Sequence, residues 1–590
     1  MMIDVRGKKG KLKILIAVIV LMLVAFRIWL ANTSNWQILV QTYYDGHWYT
    51  LKALSIATGD WLGDYNKSTL IKSPGYAIFL AVLYLLRIPY GWGFSALIII
   101  SSLLFVRALK PRIQSRTWRI IIFLILIYNP IGFSAQSAYL YRNSVTPWFA
   151  LAAIAAPMAI FLRRNNPNKK MIAWGIEGFF FFGCYYQLRE DVVWLLPFML
   201  AAAGIIIVLC VIKYLKNNTK ILLMCCIAGI LPLVGMWAST TAISLLNQHY
   251  YGIYTTNDRT KTASIEVINL LKQIDDGEKS ETYWITEEAL DMAAEVSPTL
   301  AADLDTIKLA FQNWGATYGG DWVGHDLVIW ALRDAGEMSG HYTDAQETQE
   351  YYNQIVEELE AAFKEGSLQR KKAIYISESS GVYYLNDFVR AFKTTVSTMK
   401  YHLEYYACEC GETAVSGATS DADIREFESI LGTTIVRTDE ELQSGGTTEG
   451  VITENRIMKK LTYINKAFSD FNLSVYKSLT WIILTLALIG YLLSFVRYVR
   501  KKEWEELDIY IICIGVFLTA FLNRYMVTLF MKSMETSVDY FDAYMYTMPV
   551  YLFIDVFKII GLYIVVKYGY DFWKRNLRTI VRKCLMWRNS

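Results

Sequence analysis

The chain has 590 residues, 54% of them hydrophobic, and a mean hydropathy of +0.27, too apolar for a soluble multidomain protein of this length. The net charge of +4 conceals a segregation: residues 247–475 hold 38 acidic against 19 basic side chains, leaving 39 basic against 16 acidic elsewhere. A basic membrane part with an acidic soluble block disfavours nucleic-acid binding, which needs a basic soluble surface.

In chain order, a basic stretch (Arg6, Lys8, Lys9, Lys11, Lys13) precedes an apolar run over 14–30. That run is long for the core of a signal peptide and no small-x-small cleavage site stands out, so it reads as an uncleaved first span. Further apolar runs lie at about 75–90, 93–108, 118–135, 145–163, 171–187, 192–214, 221–246, 476–497, 507–530 and 543–567. Basic clusters follow several of them: Lys110, Arg112, Arg116 and Arg119; Arg163, Arg164, Lys169 and Lys170; Lys213, Lys216 and Lys220; Arg497, Arg500, Lys501 and Lys502; and a tail with Lys574, Arg575, Arg578, Arg582 and Lys583. The positive-inside rule gathers all of these in the cytoplasm only if the segment 75–108 crosses once. Arg87 interrupts the run 75–90, and Pro89 and Gly91 follow it, so a helix lying at the outer surface or re-entering it is predicted there. The expected architecture is an α-helical polytopic membrane protein in the cell membrane. Residues 1–246 make about seven crossings plus that surface helix, 247–475 form an acidic, mainly helical extracytoplasmic domain, and 476–590 make three crossings and a basic cytoplasmic tail. Both termini are expected inside.

Within the acidic block, Thr343-Asp-Ala-Gln346 has the spacing of a capping box and predicts a helix to about Lys364, stopped by Gly366. Its positions Tyr351, Ile355, Leu359 and Phe363 form one stripe for a core. Stretches 411–420 and 443–450 are rich in Gly, Ser and Thr and read as loops. Cys408 and Cys410 form an isolated C-x-C: a local disulfide, half a metal site and two free thiols all fit it. Asp321, His325 and Asp326 precede the helical stretch 328–335 closely enough to share a cation. They lack a recognised ligand spacing, so a helix with its own surface charges is the preferred reading.

This topology collects charges on the outer face. The first outer loop supplies Asp45, His47, Asp60, Asp64 and Lys72, the second Arg142, the third Arg189, Glu190 and Asp191. Arginine forks bind phosphate, and a carboxylate beside them can take a proton from a hydroxyl, so three loops at one depth suit a phosphate-bearing lipid. The plainer reading is that short interfacial loops hold polar residues anyway and that Arg142 snorkels. Glu177, Arg524, Asp555 and Lys558 fall inside apolar runs, where charge is costly unless paired or wetted. Asp555 and Lys558 are one turn apart, at pairing distance on a helix. These residues favour a rival class, a multi-pass transporter or lipid flippase, although the last three crossings do not mirror the first seven. A non-catalytic scaffold with a binding ectodomain is the third class.

The order of these features resembles the GT-C superfamily of polyprenyl-phosphate-dependent glycosyltransferases, which includes the protein O-mannosyltransferases and the lipid A aminoarabinose transferases. The resemblance covers roughly residues 13–246. It rests on a first span, then Asp45-Gly-His-Trp-Tyr, Thr58-Gly-Asp-Trp61, Lys72-Ser-Pro-Gly-Tyr-Ala-Ile-Phe-Leu80 (similar to a K-P-P-G segment) and Asn129-Pro130 before a short arginine-bearing loop. It implies a bacterial-type enzyme of the cell envelope that moves a sugar from a polyprenyl-phosphate donor to a glycan, lipid or protein acceptor. Asp45 would be the general base or metal-contacting acid; Lys72, Arg142 and Arg189 would contact the donor phosphate. Many members carry an acid in the second outer loop, and residues 134–144 have none. Glu190 or Asp191 would substitute, or the site would lack that acid, so a divalent cation stays open as a cofactor.

Overall fold

The computed structural model describes residues 4–34, 36, 46–377, 380–410, 421–433, 456–502, 504–531 and 541–588. Among these there is no strand; isolated bridges join Ile274 to Arg370 and Ile374 to Tyr383.

The N-terminal half runs α1 (Asp4–Asn32), α2 (Gly46–Thr58), α3 (Gly75–Leu85), α4 (Tyr90–Ala108), α5 (Arg116–Ile127), the single turn α6 (Ala135–Ala138), α7 (Arg142–Arg163), α8 (Lys170–Tyr186), α9 (Leu196–Tyr214) and α10 (Thr219–Tyr251). The acidic block holds α11 (Ala263–Leu271), α12 (Glu287–Val296), α13 (Pro298–Ala302), α14 (Leu304–Thr317), α15 (Val328–Met338), α16 (Ala345–Glu365), α17 (Leu385–Leu403) and α18 (Asp421–Leu431). Then come α19 (Arg456–Lys501), α20 (Trp504–Phe530), α21 (Phe541–Tyr546) and α22 (Met548–Arg588).

Nine segments of the described residues are long and apolar enough to cross a bilayer: Lys11–Asn32, Tyr90–Ala108, Arg116–Phe133, Arg142–Arg163, Val192–Tyr214, Thr219–Tyr251, Lys460–Arg500, Leu507–Phe530 and Met548–Lys574. This is a multi-pass helical membrane protein. The 17-residue α8 falls short of that length and is tied to α7 at both ends. Arg142 at the start of α7 bonds Glu190 just beyond α8, and Arg163 at the end of α7 lies over Trp174 near the start of α8. In contrast, the 11-residue α3 reaches only about 16 Å, half of a hydrocarbon core.

Helix α7 is buried along nearly its whole length and forms the centre of this half. Helix α8 packs on α10 through small residues: Gly175, Gly178 and Gly183 face Ala228, Pro232 and Gly235. A Cβ at Gly235 would stand 2.0 Å from the Phe179 carbonyl oxygen, so only glycine permits this approach. The basic loops share one face. Arg112, after α4, and Arg164, after α7, both donate to the buried carboxylate of Asp508 near the start of α20. Arg163 also donates to the Arg107 and Ala108 carbonyls. The loops carrying Lys72, Arg142 and Arg189 lie at the opposite ends of the same helices, beside the acidic block.

In α16 the sequence expectation is displaced by one residue. The cap is Asp344, whose carboxylate accepts from the Gln346 and Glu347 amides, while the Thr343 hydroxyl reaches the Glu347 side chain. Gly366 ends the helix at φ +88°. The fully buried stripe is Tyr352, Ile355, Leu359 and Ala362, with Tyr351 and Phe363 at its margin.

Candidate functional site

The Lys72–Gly75 turn is the structural hinge of the site. Pro74 precedes α3, and the Gly75 amide donates to the Gln187 carbonyl at 2.9 Å. This lays the first loop against the segment after α8. A Cβ on residue 75 would come within 2.2 Å of that same carbonyl oxygen, so glycine is required. Two residues earlier, the Ser73 amide donates to Glu190 Oε1 at 2.7 Å. Glu190 Oε2 accepts from Arg142 Nη1 at 2.5 Å, and Arg142 Nε donates to the Tyr141 hydroxyl at 3.0 Å. Burial alone would raise the Glu190 pKa. The charges of Arg142 and Arg259 and the Ser73 amide outweigh that and hold it at about 2.

Lys72 is 2% exposed and sits among three rings, its Nζ 5.7 Å from the Tyr49 centroid, 5.6 Å from Tyr141 and 5.5 Å from Trp330. Tyr49 and Tyr141 also face the Arg142 guanidinium, at 5.9 and 5.2 Å. Two buried cations therefore share two aromatic faces, which offset charge without neutralising it. Arg189 is gripped by Asp191 through both oxygens, donates to Asn143 and lies 4.8 Å over the Tyr546 ring. Its pKa is raised: burial alone would lower it, but the Asp191 carboxylate prevails.

The acidic block completes the site. Arg259, in the loop after α10, is paired to Asp326 at 2.7 Å and lies near enough to Glu190 and Arg142 to interact with their charges. Asn257 donates to the Ser73 hydroxyl at 3.0 Å. Helix α15 clamps the first loop from above. Buried Arg333 pairs with buried Asp258 and donates to the Lys67 carbonyl, while Lys67 pairs with Asp334 and Glu337. The stretch 328–335 is thus an internal clamp; its surface-charge reading fails because Arg333 points into the first loop rather than into water.

Of the residues singled out from sequence, Lys72, Arg142, Arg189, Glu190 and Asp191 are brought together. Asp45 lies outside the described residues; the next residue, Gly46, is buried and opens α2 one turn before Tyr49. His47 packs on Phe427 of α18. Asp60 and Asp64 are not in the cluster: they follow the far end of α2, about 20 Å along that 13-residue helix. Sequence reasoning missed Arg259 and Trp330, which sit in stretches whose pattern carries no charge signal pointing to the membrane loops; Tyr49 stood in the Asp45-Gly-His-Trp-Tyr motif but was given no role.

No group of three or more His, Cys, Asp or Glu side chains arranged to hold a metal occurs among the described residues. Asp326 is taken by Arg259, and no disulfide joins Cys408 and Cys410. Of the membrane-embedded charges, Asp555 and Lys558 pair at 2.7 Å. Asp555 also accepts from Asn129 (2.6 Å) and Tyr405 (2.5 Å), and Lys558 donates to Tyr405 and Thr480. Arg524 donates to Thr398 at 3.2 Å. Both Glu177 oxygens are buried without a hydrogen-bond partner.

Comparison with protein-family models, with curated proteins and with solved structures finds no match to this chain.

Proposed function

We propose that the protein is a membrane glycosyltransferase of GT-C type, which transfers a sugar from a polyprenyl-phosphate donor to a cell-envelope acceptor on the extracytoplasmic face. The observation that carries this reading is the convergence of Lys72 and Arg142 on the same two rings, with Arg189 and Arg259 beside them, at the membrane boundary. Lys72 among its rings, with three arginines each oriented by a carboxylate, suits a leaving phosphate on a lipid carrier. In the reaction, the bond from the sugar anomeric carbon to the phosphate oxygen breaks and the phosphate keeps the electron pair. The acceptor oxygen bonds that carbon, and its proton passes to Asp45. Lys72 and Arg142 offset the charge growing on the phosphate.

Glu190 serves this scheme as the residue that positions Arg142, since both its oxygens are engaged and its low pKa makes it a weak base. Asp191 does the same for Arg189. Asp45 takes the part of the base on the strength of the resemblance alone. The basic loops joined through Asp508 would face the cytoplasm, and residues 247–475 the outside. The transporter reading has less support, because Asp555 and Lys558 are satisfied by each other and by fixed neighbours.

The test uses membranes containing the full chain and a panel of labelled polyprenyl-phosphate sugars. Transfer by the wild type, abolished in Asp45→Asn and lowered about 100-fold or more in Lys72→Met, is expected. No transfer by the wild type from any donor overturns the function; transfer by Asp45→Asn at the wild-type rate overturns the base assignment alone.

A further inference from the structure

Helix α17 has its polarity the wrong way round for a helix in water. The face packed against the protein is made of small or polar residues: Asp387, Ala391, Thr395, Thr398 and His402 are buried. The adjoining face carries Leu385, Val389, Phe392 and Val396, which are 72%, 49%, 53% and 54% exposed. Their spacing of three and four residues puts them on one stripe. A third face carries exposed Lys393, Ser397 and Lys400.

The neighbours of α17 give its depth. Phe392 meets Phe521 of α20 with ring centroids 5.6 Å apart, and Arg524 donates to Thr398. Tyr525 donates to the Phe388 carbonyl, and Ala391 clusters with Leu529. All four partners lie in the second half of the crossing Leu507–Phe530. The exposed stripe of α17 thereby continues the exposed apolar surface of α20 at Ile514, Phe517 and Leu518. Surface at that depth of a membrane crossing meets acyl chains, and lysines along its border are placed for lipid phosphates.

We propose that α17 is embedded in the outer leaflet: Leu385, Val389, Phe392 and Val396 contact lipid acyl chains, and Lys393 and Lys400 lie at the headgroups. The acidic block is then anchored in the bilayer through its own chain, at a helix that does not cross. This assignment is independent of the enzymatic reading.

The experiment places the photoreactive residue p-benzoylphenylalanine at position 392 or, separately, at 397 in the full chain. The variants are reconstituted in vesicles of phosphatidylethanolamine and phosphatidylglycerol, irradiated, and read by mass spectrometry. Several-fold more acyl-chain adduct at 392 than at 397 is expected. A cross-link to a second copy at 392, or equal lipid adducts at the two positions, or none at either, overturns the proposal.

Discussion

Arg142 and Glu190 meet side chain to side chain at 2.5 Å, one opening α7 and the other following α8, and both are nearly buried. Removing one member of a buried pair leaves the other charge without compensation, which costs about 3–5 kcal/mol. Arg142→Ala is expected to lose stability of that order. Glu190→Gln keeps an acceptor for the Ser73 amide and should lose less. Thermal unfolding of the purified protein in detergent checks the order, and equal melting temperatures for both variants and the wild type would show that the pair does not hold the loops.

The same pair sets a pH dependence. The folded pKa of Glu190 is about 2, below the ordinary 4.5, so the unfolded chain binds the proton first. The stabilisation is complete above pH 4.5 and is lost as pH falls toward 2. Melting temperature measured across that window should fall less steeply in Glu190→Gln than in the wild type; parallel curves would place the acid sensitivity elsewhere.

Much of this site was legible in the sequence because charge in a short loop between apolar runs has few places to go. Lys72 and Arg189 meet at the start of α7 because the Ser73 and Gly75 amides tie the first loop to Glu190 and Gln187 after α8. The absence of an acid in 134–144 was also visible; the carboxylate that meets Arg142 comes from Glu190 of the neighbouring loop. What could not be read were contacts made by the acidic block. Arg259 lies among many charges of a soluble segment, and Trp330 stands in an ordinary amphipathic helix; only the docking of α15 on the first loop gives them meaning. Periodicity finds the stripe of α17 but cannot say that its polar face is the buried one.

Gly75 is a sharp probe of the hinge. An added methyl would collide with the Gln187 carbonyl oxygen at 2.2 Å, and both are backbone-fixed. Gly75→Ala should cost about 1–3 kcal/mol by overpacking and should weaken donor binding by moving Lys72. Gly204→Ala in α9 is the control, since nothing lies within 4 Å of its added methyl, and it should be neutral or stabilising. Melting curves of the two variants, side by side, test the assignment; a neutral Gly75→Ala would mean that the turn is free to shift.

Asp508 joins two basic loops on the face opposite the site. Asp508→Asn keeps its size but leaves the Arg112 and Arg164 guanidinium groups without their shared carboxylate. About 3 kcal/mol or more of stability should be lost, with little direct effect on the proposed phosphate site at the other end of α7. The check is a lowered melting temperature together with an unchanged donor KM in whatever protein remains folded; a raised KM with unchanged stability would contradict it.

The last prediction separates a structural from a transporting role for Asp555 and Lys558. Lys558→Met strands the Asp555 carboxylate among Asn129, Tyr405 and α22, at a cost of about 3–5 kcal/mol. Asp555→Asn strands the ammonium in the same way. In the double variant no charge remains, and an amide oxygen at position 555 still accepts from Asn129 or Tyr405. A structural pair therefore predicts strong coupling: the double variant should recover most of the stability lost by either single change. A charged transport pathway predicts the reverse, because each single change and the double change would stop transport while the melting temperatures stayed near the wild type. Unfolding measurements on the four proteins distinguish these outcomes without knowledge of any substrate.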